Sequence, residues 1–415
     1  MWSLAQTAAR LGCGFLSIKV TAVYLGPAGL ALTGQLGNFI TLLQGTLGNA
    51  VNTAVVKLGS EALDRDPDRA AAVVGTALRL VVVIACAATL VLLAAHRPLS
   101  AWLFGDEQFW PVIVAVAILL PGLILGQLHS ALFQAQRRFD LMSITSITAT
   151  VLGAAIFVGL CWAFGLWGGL LGTALVSPLT LVIALWIGRG TAQTRLPAYW
   201  ASARAPLVRS IVAFYPMLLV HSAALPLSLL LVRDTMIGTF GAAQAGIWQA
   251  SVRLSDMYTM VILATLSMYS LPTLSAARDE LEFRGILLRL VAGCFFVASA
   301  AALVLYLARD LVVSVVFTRE FTHVRDLWPW QLVGDVFLLA GWPMRSALTA
   351  RQRTLTYMTV EAAIGFGLVG VTRLLIESAG TLAANMAHAL VWGAVFFCLL
   401  ALHGRTWLAS GEGRG

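Results

Sequence analysis

The chain alternates long apolar stretches with short polar turns. Val20 to Val56 runs for 37 residues, and Leu141 to Gly188 for 48, without an Asp, Glu, Lys, Arg or His. A helix rises about 1.5 Å per residue, and about 20 apolar residues cross a bilayer. Each run therefore holds more than one span and must turn inside itself. Gly26-Pro27 in the first and Phe164-Gly165-Leu166-Trp167-Gly168-Gly169 in the second supply the turn residues. Extended along the chain, this pattern predicts twelve helices, at residues 3–25, 28–58, 70–94, 109–135, 139–163, 167–188, 207–231, 237–272, 285–308, 325–349, 354–376 and 379–403. The second and eighth are long and contain Gly or Pro, so they are expected to bend. Leu311–His323 reads as a short interfacial segment. The N-terminus lacks a basic n-region and Lys19 interrupts its apolar stretch, so it reads as the first membrane helix rather than a cleavable signal peptide.

The second half echoes the first at an offset of 212 to 217 residues. Phe104-Gly105 followed by Phe109 returns as Phe317-Thr318 followed by Phe321. Gln134 to Arg138 returns as Thr349 to Arg353, and Gly26 to Gly29 as Gly241 to Gly246. The repeat covers six helices, an even number, so the halves are expected to be parallel repeats about an axis along the membrane normal. The expected fold is an all-α integral membrane protein with about twelve transmembrane helices in two pseudo-symmetric six-helix lobes. The lobes are placed at 1–190 and 207–404, with a cytoplasmic linker at 191–206 and a short cytoplasmic tail at 405–415.

Composition agrees with this pattern. Of 415 residues, 59% are hydrophobic and 11% charged, and mean hydropathy is +0.87. Soluble domains carry about 25% charged residues. An ordinary cytosolic enzyme, a disordered chain, a disulfide-rich secreted module and a nucleic-acid binder are all excluded. The net charge of +8 is almost entirely Arg, with only Lys19 and Lys57 as lysines. With the N-terminus inside, 18 basic residues fall on the inner side and six (Arg97, Arg233, Arg309, Arg319, Arg325, Arg373) on the outer. Excess Lys/Arg marks the cytoplasmic side, so both termini are expected there. The five cysteines stand alone in apolar runs, with no spacing that suggests a disulfide or a zinc site.

No loop exceeds about 20 residues, so no soluble catalytic domain fits. Neither Lys follows a Gly, so there is no P-loop, and HExxH and GxSxG are absent too. Ionisable side chains inside the spans remain. They are costly in lipid and usually face a cavity, a pathway or a partner. These are Lys19, Arg79, His221, Arg253, Asp256, Asp335, Glu361 and His388, with Lys57 and Arg345 near inner helix ends. Each also has a structural reading. Arg253 and Asp256 are spaced as an i,i+3 pair. Lys57 and Arg345 suit snorkelling. Arg79 suits pairing with a neighbour, and the histidines suit satisfied core positions. Asp335 and Glu361 fit either a proton or cation site or pairing with Arg345. Gln44, Gly45, Gly48, Asn49 and Asn52 share one helix face, as close packing or as a cavity wall that hydrogen-bonds sugar hydroxyls. Cations outnumber acids in this set, which favours an anionic substrate such as a pyrophosphate head group.

Several segments resemble the Wzx-type flippases of the multidrug/oligosaccharidyl-lipid/polysaccharide exporter superfamily. They are Gly246-Ile247-Trp248-Gln249, Tyr269 to Ser275, Phe321-Thr322 to Arg325-Asp326-Leu327, Trp330 to Asp335, and the opening Gly26-Pro27-Ala28-Gly29-Leu30. The resemblance implies two lobes around a central cavity. It implies transfer of an undecaprenyl-diphosphate-linked oligosaccharide, of the lipid III type of enterobacterial common antigen or an O-antigen-like unit, between leaflets of the bacterial inner membrane. Basic residues of the first, second and eighth helices would hold the diphosphate, which points to Lys19, Lys57 and Arg253. Asp256, Asn49, Asn52, Arg79 and Arg345 complete the candidate substrate set. Asp335, Glu361 and His388 are the candidates for coupling to a proton or cation gradient. No catalytic residue, metal or other cofactor is expected. A polysaccharide polymerase and a chain-length regulator are the expected partners beside the bilayer and the lipid-linked substrate, and nucleic acid is not. The rival readings are a multidrug exporter, which needs an acid-lined site, and a polyprenyl-linked glycosyltransferase or polymerase, which needs a large outer loop.

Overall fold

The computed structural model describes residues 2–63, 66–188, 200 and 204–411. Most of the expected linker, and the last residues of the expected tail, lie outside the described residues. Twelve long helices run through the rest. They are α1 (Trp2–Tyr24), α2 (Gly26–Ala54), α3 (Pro67–Ala94), α4 (Trp110–Ala135), α5 and α6 (139–164 and 166–187), α7 and α8 (215–240 and 242–275), α9 (Glu280–Leu307), α10 (Val324–Ala350), α11 (Thr354–Ala379) and α12 (Ala383–Gly411). No strand occurs among the described residues.

Local sequence explains several of these ends. Asp66 caps α3 by accepting the Arg69 amide at 3.0 Å, with Pro67 in the first turn. Asp279 does the same for α9 through the Glu282 amide at 2.8 Å. The α5–α6 junction is a single residue, Gly165, at φ 55° and ψ −130°. That region is essentially closed to side chains. Gly241, at φ 82° and ψ 166°, makes the α7–α8 junction in the same way.

The internal repeat is built into the backbone. Gly26 and Gly241, Arg137 and Gln352, and Gly165 and Gly380 are pairs with positive φ, each pair 215 residues apart. Gly165 and Gly380 match closely, at φ 55° and ψ −130° against φ 57° and ψ −132°. The expected interfacial segment appears as the short helix Arg309–Val316 followed by a 3-10 turn at Arg319–Phe321. Its counterpart in the first half, His96–Phe104 followed by Glu107–Phe109, was not foreseen as a helix.

One predicted boundary moves. The pattern ends the seventh helix at residue 231 because Arg233-Asp234 reads as a polar turn. The structure carries α7 on to Gly241. Arg233 therefore does not lie in an outer loop. It is fully buried, hydrogen-bonded to Gln249 and set 5.4 Å from the Trp248 ring.

The chain forms two compact units, Met1–Leu230 and Leu231–Gly415. The core of the first joins α2, α3 and α4 through fully buried Leu36, Val51, Val81, Val112, Ile113 and Leu120. Large apolar side chains lie outward in both units: Val83, Leu90 and Trp162 in one, Phe296, Phe366 and Leu374 in the other. Water would not tolerate so much exposed apolar surface, whereas lipid solvates it. Six stretches among the described residues are long and apolar enough to cross a membrane: Asp68–Ala94, Glu107–Ala135, Phe139–Ile187, Leu218–Ser275, Glu280–Leu307 and Thr354–His403. They contain nine of the twelve helices. The other three, α1, α2 and α10, are the ones that carry Lys19, the polar stripe, Asp335 and Arg345.

Candidate functional site

The first unit encloses a cavity of about 680 Å³ between α1, α2, α4, α5 and α6. The polar stripe of α2 supplies one wall through Gln44, Asn49, Asn52 and Thr53. Gln127, Ser130 and Gln134 of α4 face it, and Ser146, Thr150, Ser177 and Thr180 close it from α5 and α6. Asn52 Nδ2 donates to Gln127 Oε1 at 3.3 Å, and Asn49 Nδ2 donates to Ser222 Oγ at 2.8 Å. A Cβ at Gly48 would collide with the Gln127 amide, so the small residue is what lets α2 and α4 bring their amides together. The glycines of the stripe thus serve close packing, and its amides line the cavity.

Lys57 also lines this cavity. Where α2 would end, the chain takes a π-turn, Val55–Gly59, a local widening of the helix common at functional sites. Lys57 sits on it, exposed, with Nζ 5.7 Å from the Phe214 ring centre. Lys19 is half-buried on α1 and is not among the lining residues. Arg79 is engaged elsewhere. Its Nε and Nη2 donate to the Trp200 carbonyl at 3.0 and 2.7 Å, and its guanidinium lies 5.4 Å from the Trp200 ring.

The second unit holds a polar network within its helices. Asp335 on α10 is almost fully buried. Its carboxylate accepts the Tyr258 hydroxyl at 2.7 Å and Gln331 Nε2 at 3.5 Å, and meets His388 Nε2 at 2.9 Å. Asn385 Nδ2 continues the chain to Gln331 Oε1 at 3.0 Å and Ser251 Oγ at 2.9 Å. Four helices, α8, α10, α11 and α12, supply these groups and the neighbouring ion pair. Gly334 is required here, because a Cβ would run into the His388 ring. On α8, Arg253 is half-buried and Asp256 is exposed, one turn apart.

The three coupling candidates separate. Asp335 and His388 are bonded to each other. Glu361 instead pairs with Arg345 Nη2 at 2.8 Å, both side chains less than a tenth exposed. Arg345 lies between the Trp342 and Trp392 rings at 5.2 and 5.3 Å. The pairing foreseen for Arg345 is therefore made by Glu361 and not by Asp335. Sequence reasoning missed Tyr258, Gln331 and Asn385 in the network, and Arg10, Gln127 and Ser146 at the cavity. Only Gln331 carried a readable signal, one helical turn before Asp335. Among the described residues no group of three His, Cys, Asp or Glu side chains gathers as a metal site.

An all-helical, lipid-facing chain with a polar cavity is an architecture that membrane transporters use. Residues 50–326 match the family described as polysaccharide biosynthesis protein, and the chain belongs to that family. The lipid III flippase of Escherichia coli (strain K12) is 28% identical over 391 residues, covering 94% of this chain and 93% of that one. The lipid III flippase of Shigella flexneri is similar to the same extent. Among solved structures, an inward-facing multidrug resistance MATE family transporter of the MOP superfamily aligns with TM-score 0.77 at 14% identity, over 97% of this chain and 98% of that one. The lipid II flippase MurJ, in an inward closed conformation, aligns with TM-score 0.76 at 11% identity, over 96% and 86%. These two likenesses establish the fold.

Proposed function

We propose that the protein is a flippase. It moves an undecaprenyl-diphosphate-linked oligosaccharide, of the lipid III or O-antigen type, from the cytoplasmic to the periplasmic leaflet of a bacterial inner membrane by alternating access. The observation that carries this reading is the cavity of the first unit. Its polar lining consists of amides, hydroxyls and cations, which suits sugar hydroxyls and an anionic head group. The full-length relation to two lipid III flippases supports the same substrate class. Lys57, Asn49 and Asn52 contact the substrate in this cavity. Lys19 and Arg253 act on the head group from their own helices, with Asp256 tuning Arg253. Asp335 with His388 is the proton- or cation-responsive pair that resets the cycle. Both termini lie in the cytoplasm, and a polymerase and chain-length regulator take over the product.

The test is rescue of a strain lacking its lipid III flippase. The wild-type gene should restore surface glycan. Replacing both Lys19 and Arg253 by Ala should abolish rescue while leaving membrane levels of the protein unchanged. Full rescue by that double variant would overturn the head-group assignment. A multidrug-exporter reading has the MATE fold likeness in its favour. It needs acids for cationic drugs, and no described lining residue of the cavity is acidic.

A further inference from the structure

We propose that Trp342, Arg345, Glu361 and Trp392 form a plug that closes, in the second unit, the counterpart of the first unit's polar cavity. One half of the repeat then admits polar ligands and the other excludes them. The bearing of the plug on sugar binding rests on the flippase reading.

The pairs with positive φ set the register of the repeat at 215 residues, from Gly26 and Gly241 through to Gly165 and Gly380. That register gives cavity-lining side chains of the first unit their counterparts in the second. Gln127 and Ser130 of α4 correspond to Trp342 and Arg345 of α10. Ser146 of α5 corresponds to Glu361 of α11, and Ser177 of α6 to Trp392 of α12. All four exchanges enlarge the side chain, and the enlarged groups meet one another. Arg345 Nη2 lies 2.8 Å from Glu361 Oε1. The guanidinium is flanked by the Trp342 and Trp392 rings at 5.2 and 5.3 Å. Arg345, Glu361 and Trp392 are all buried. At the first unit's cavity, by contrast, lining residue Gln134 is exposed. The plug therefore occupies, with large side chains, the positions that amides and hydroxyls leave open in the first half. It does so without net charge, since the cation is matched by its carboxylate and bracketed by two aromatic rings. Ile364, one helical turn after Glu361, is the counterpart of cavity-lining Ala149 and is 2% exposed.

The experiment uses the full-length protein in lipid nanodiscs, where both membrane faces meet the reagent. The probe is a sulfonate-bearing thiosulfonate, soluble in water and excluded from lipid. Labelling at an introduced cysteine is read by mass spectrometry of its peptide. Ala149→Cys should react. Ile364→Cys should react at least about a hundredfold more slowly, because a thiol in a packed interior is reached only through local opening. Giving the plug the first unit's residue types (Trp342→Gln, Arg345→Ser, Glu361→Ser and Trp392→Ser) should bring the rate at 364 to within about tenfold of that at 149. Arg345→Ser with Glu361→Ser alone removes both charges together and keeps the rings. It should speed labelling at 364 by about tenfold, and it carries the test if the four-residue variant does not fold. The reverse exchange, Gln127→Trp with Ser177→Trp, should protect Ala149→Cys. Equal rates at 149 and 364 in the otherwise unaltered chain would overturn the plug. So would a protected 364 in a folded variant whose plug is removed. Rescue of the flippase-deficient strain is scored separately, on the Gln127→Trp, Ser177→Trp variant. Lost rescue at normal protein levels is the result expected if sugar binds in the first unit. Undiminished rescue with 149 protected would remove the cavity as the sugar site and leave the plug standing.

Discussion

Glu361 and Arg345 test what a buried charge does in this chain. The pair is enclosed by two tryptophan rings and has little access to solvent. Removing one partner leaves an uncompensated buried charge, which costs about 3–5 kcal/mol, whereas replacing both with apolar residues of similar volume costs far less. Glu361→Gln should therefore lower the detergent unfolding midpoint sharply, and Arg345→Met with Glu361→Leu should restore most of it. Equal midpoints for the single and double variants would show that the pair is not a structural unit. Gly334→Ala makes a different demand, because its methyl displaces His388 from Asp335. It should impair transport more than stability, measured as lost rescue at near-normal protein levels. At this scale the sequence exposed Asp335, Arg345 and Glu361 as buried charges but not their partners, and it missed buried Arg233. Nothing in the spacing of Arg345 and Glu361, on different helices, ranks that pairing above Arg345 with Asp335. Tyr258 and Asn385 were invisible because a neutral polar residue in an apolar helix looks like any packing residue until its partner is placed.

Helix junctions carry the clearest element-scale prediction. Gly165 and Gly380 occupy the same uncommon backbone conformation at equivalent positions of the two halves. A side chain there costs about 1–3 kcal/mol. Gly165→Ala and Gly380→Ala should each destabilise by that amount, measured as a shift in the unfolding midpoint. Arg137 and Gln352 are the opposite case, non-glycine residues at positive φ. Arg137→Gly and Gln352→Gly should be neutral or stabilising by about 1 kcal/mol, the strain relieved offsetting the entropy glycine adds to the unfolded chain. Opposite signs at these two kinds of position would confirm that conformation, and not contacts, sets the effect. Most elements were legible because long charge-free runs interrupted by Gly leave few ways to thread a bilayer. The α7–α8 junction was not, because a charged dipeptide resembles a turn. Arg233-Asp234 stays helical since Gln249 and Trp248 solvate the guanidinium, a contact made only after the chain reverses at Gly241. The helix His96–Phe104 was missed because nine residues with Pro98 in their first turn carry too little periodicity to separate from a loop.

Moving Arg233 from an outer loop into a buried site changes the arithmetic of the whole molecule. It lowers the outer count of basic residues from six to five. Burying Arg345 with Glu361 lowers the inner count from 18 to 17. The ratio rises, so the corrected boundaries strengthen the orientation that the uncorrected ones suggested. The inner charges also cluster in short turns, as in Arg137-Arg138 after α4 and Arg351 to Arg353 after α10, where their effect on insertion is greatest. A fluorescent protein that matures only in the cytoplasm, fused after residue 411, should therefore light up. The same reporter placed between Asp106 and Gln108, in the turn before α4, should stay dark, and a periplasmic phosphatase at those two sites should give the inverse pattern. Exchanging Arg137, Arg138 and Arg353 for Gln should weaken this bias without altering any packed core, whereas Arg351 is left in place because it pairs with Glu280 and lies over the buried Phe283 ring. A bright signal from the Asp106 site in the unaltered chain would invert the topology. It would then place the Lys57 end of the cavity on the periplasmic side, where a lipid-linked glycan leaves rather than enters.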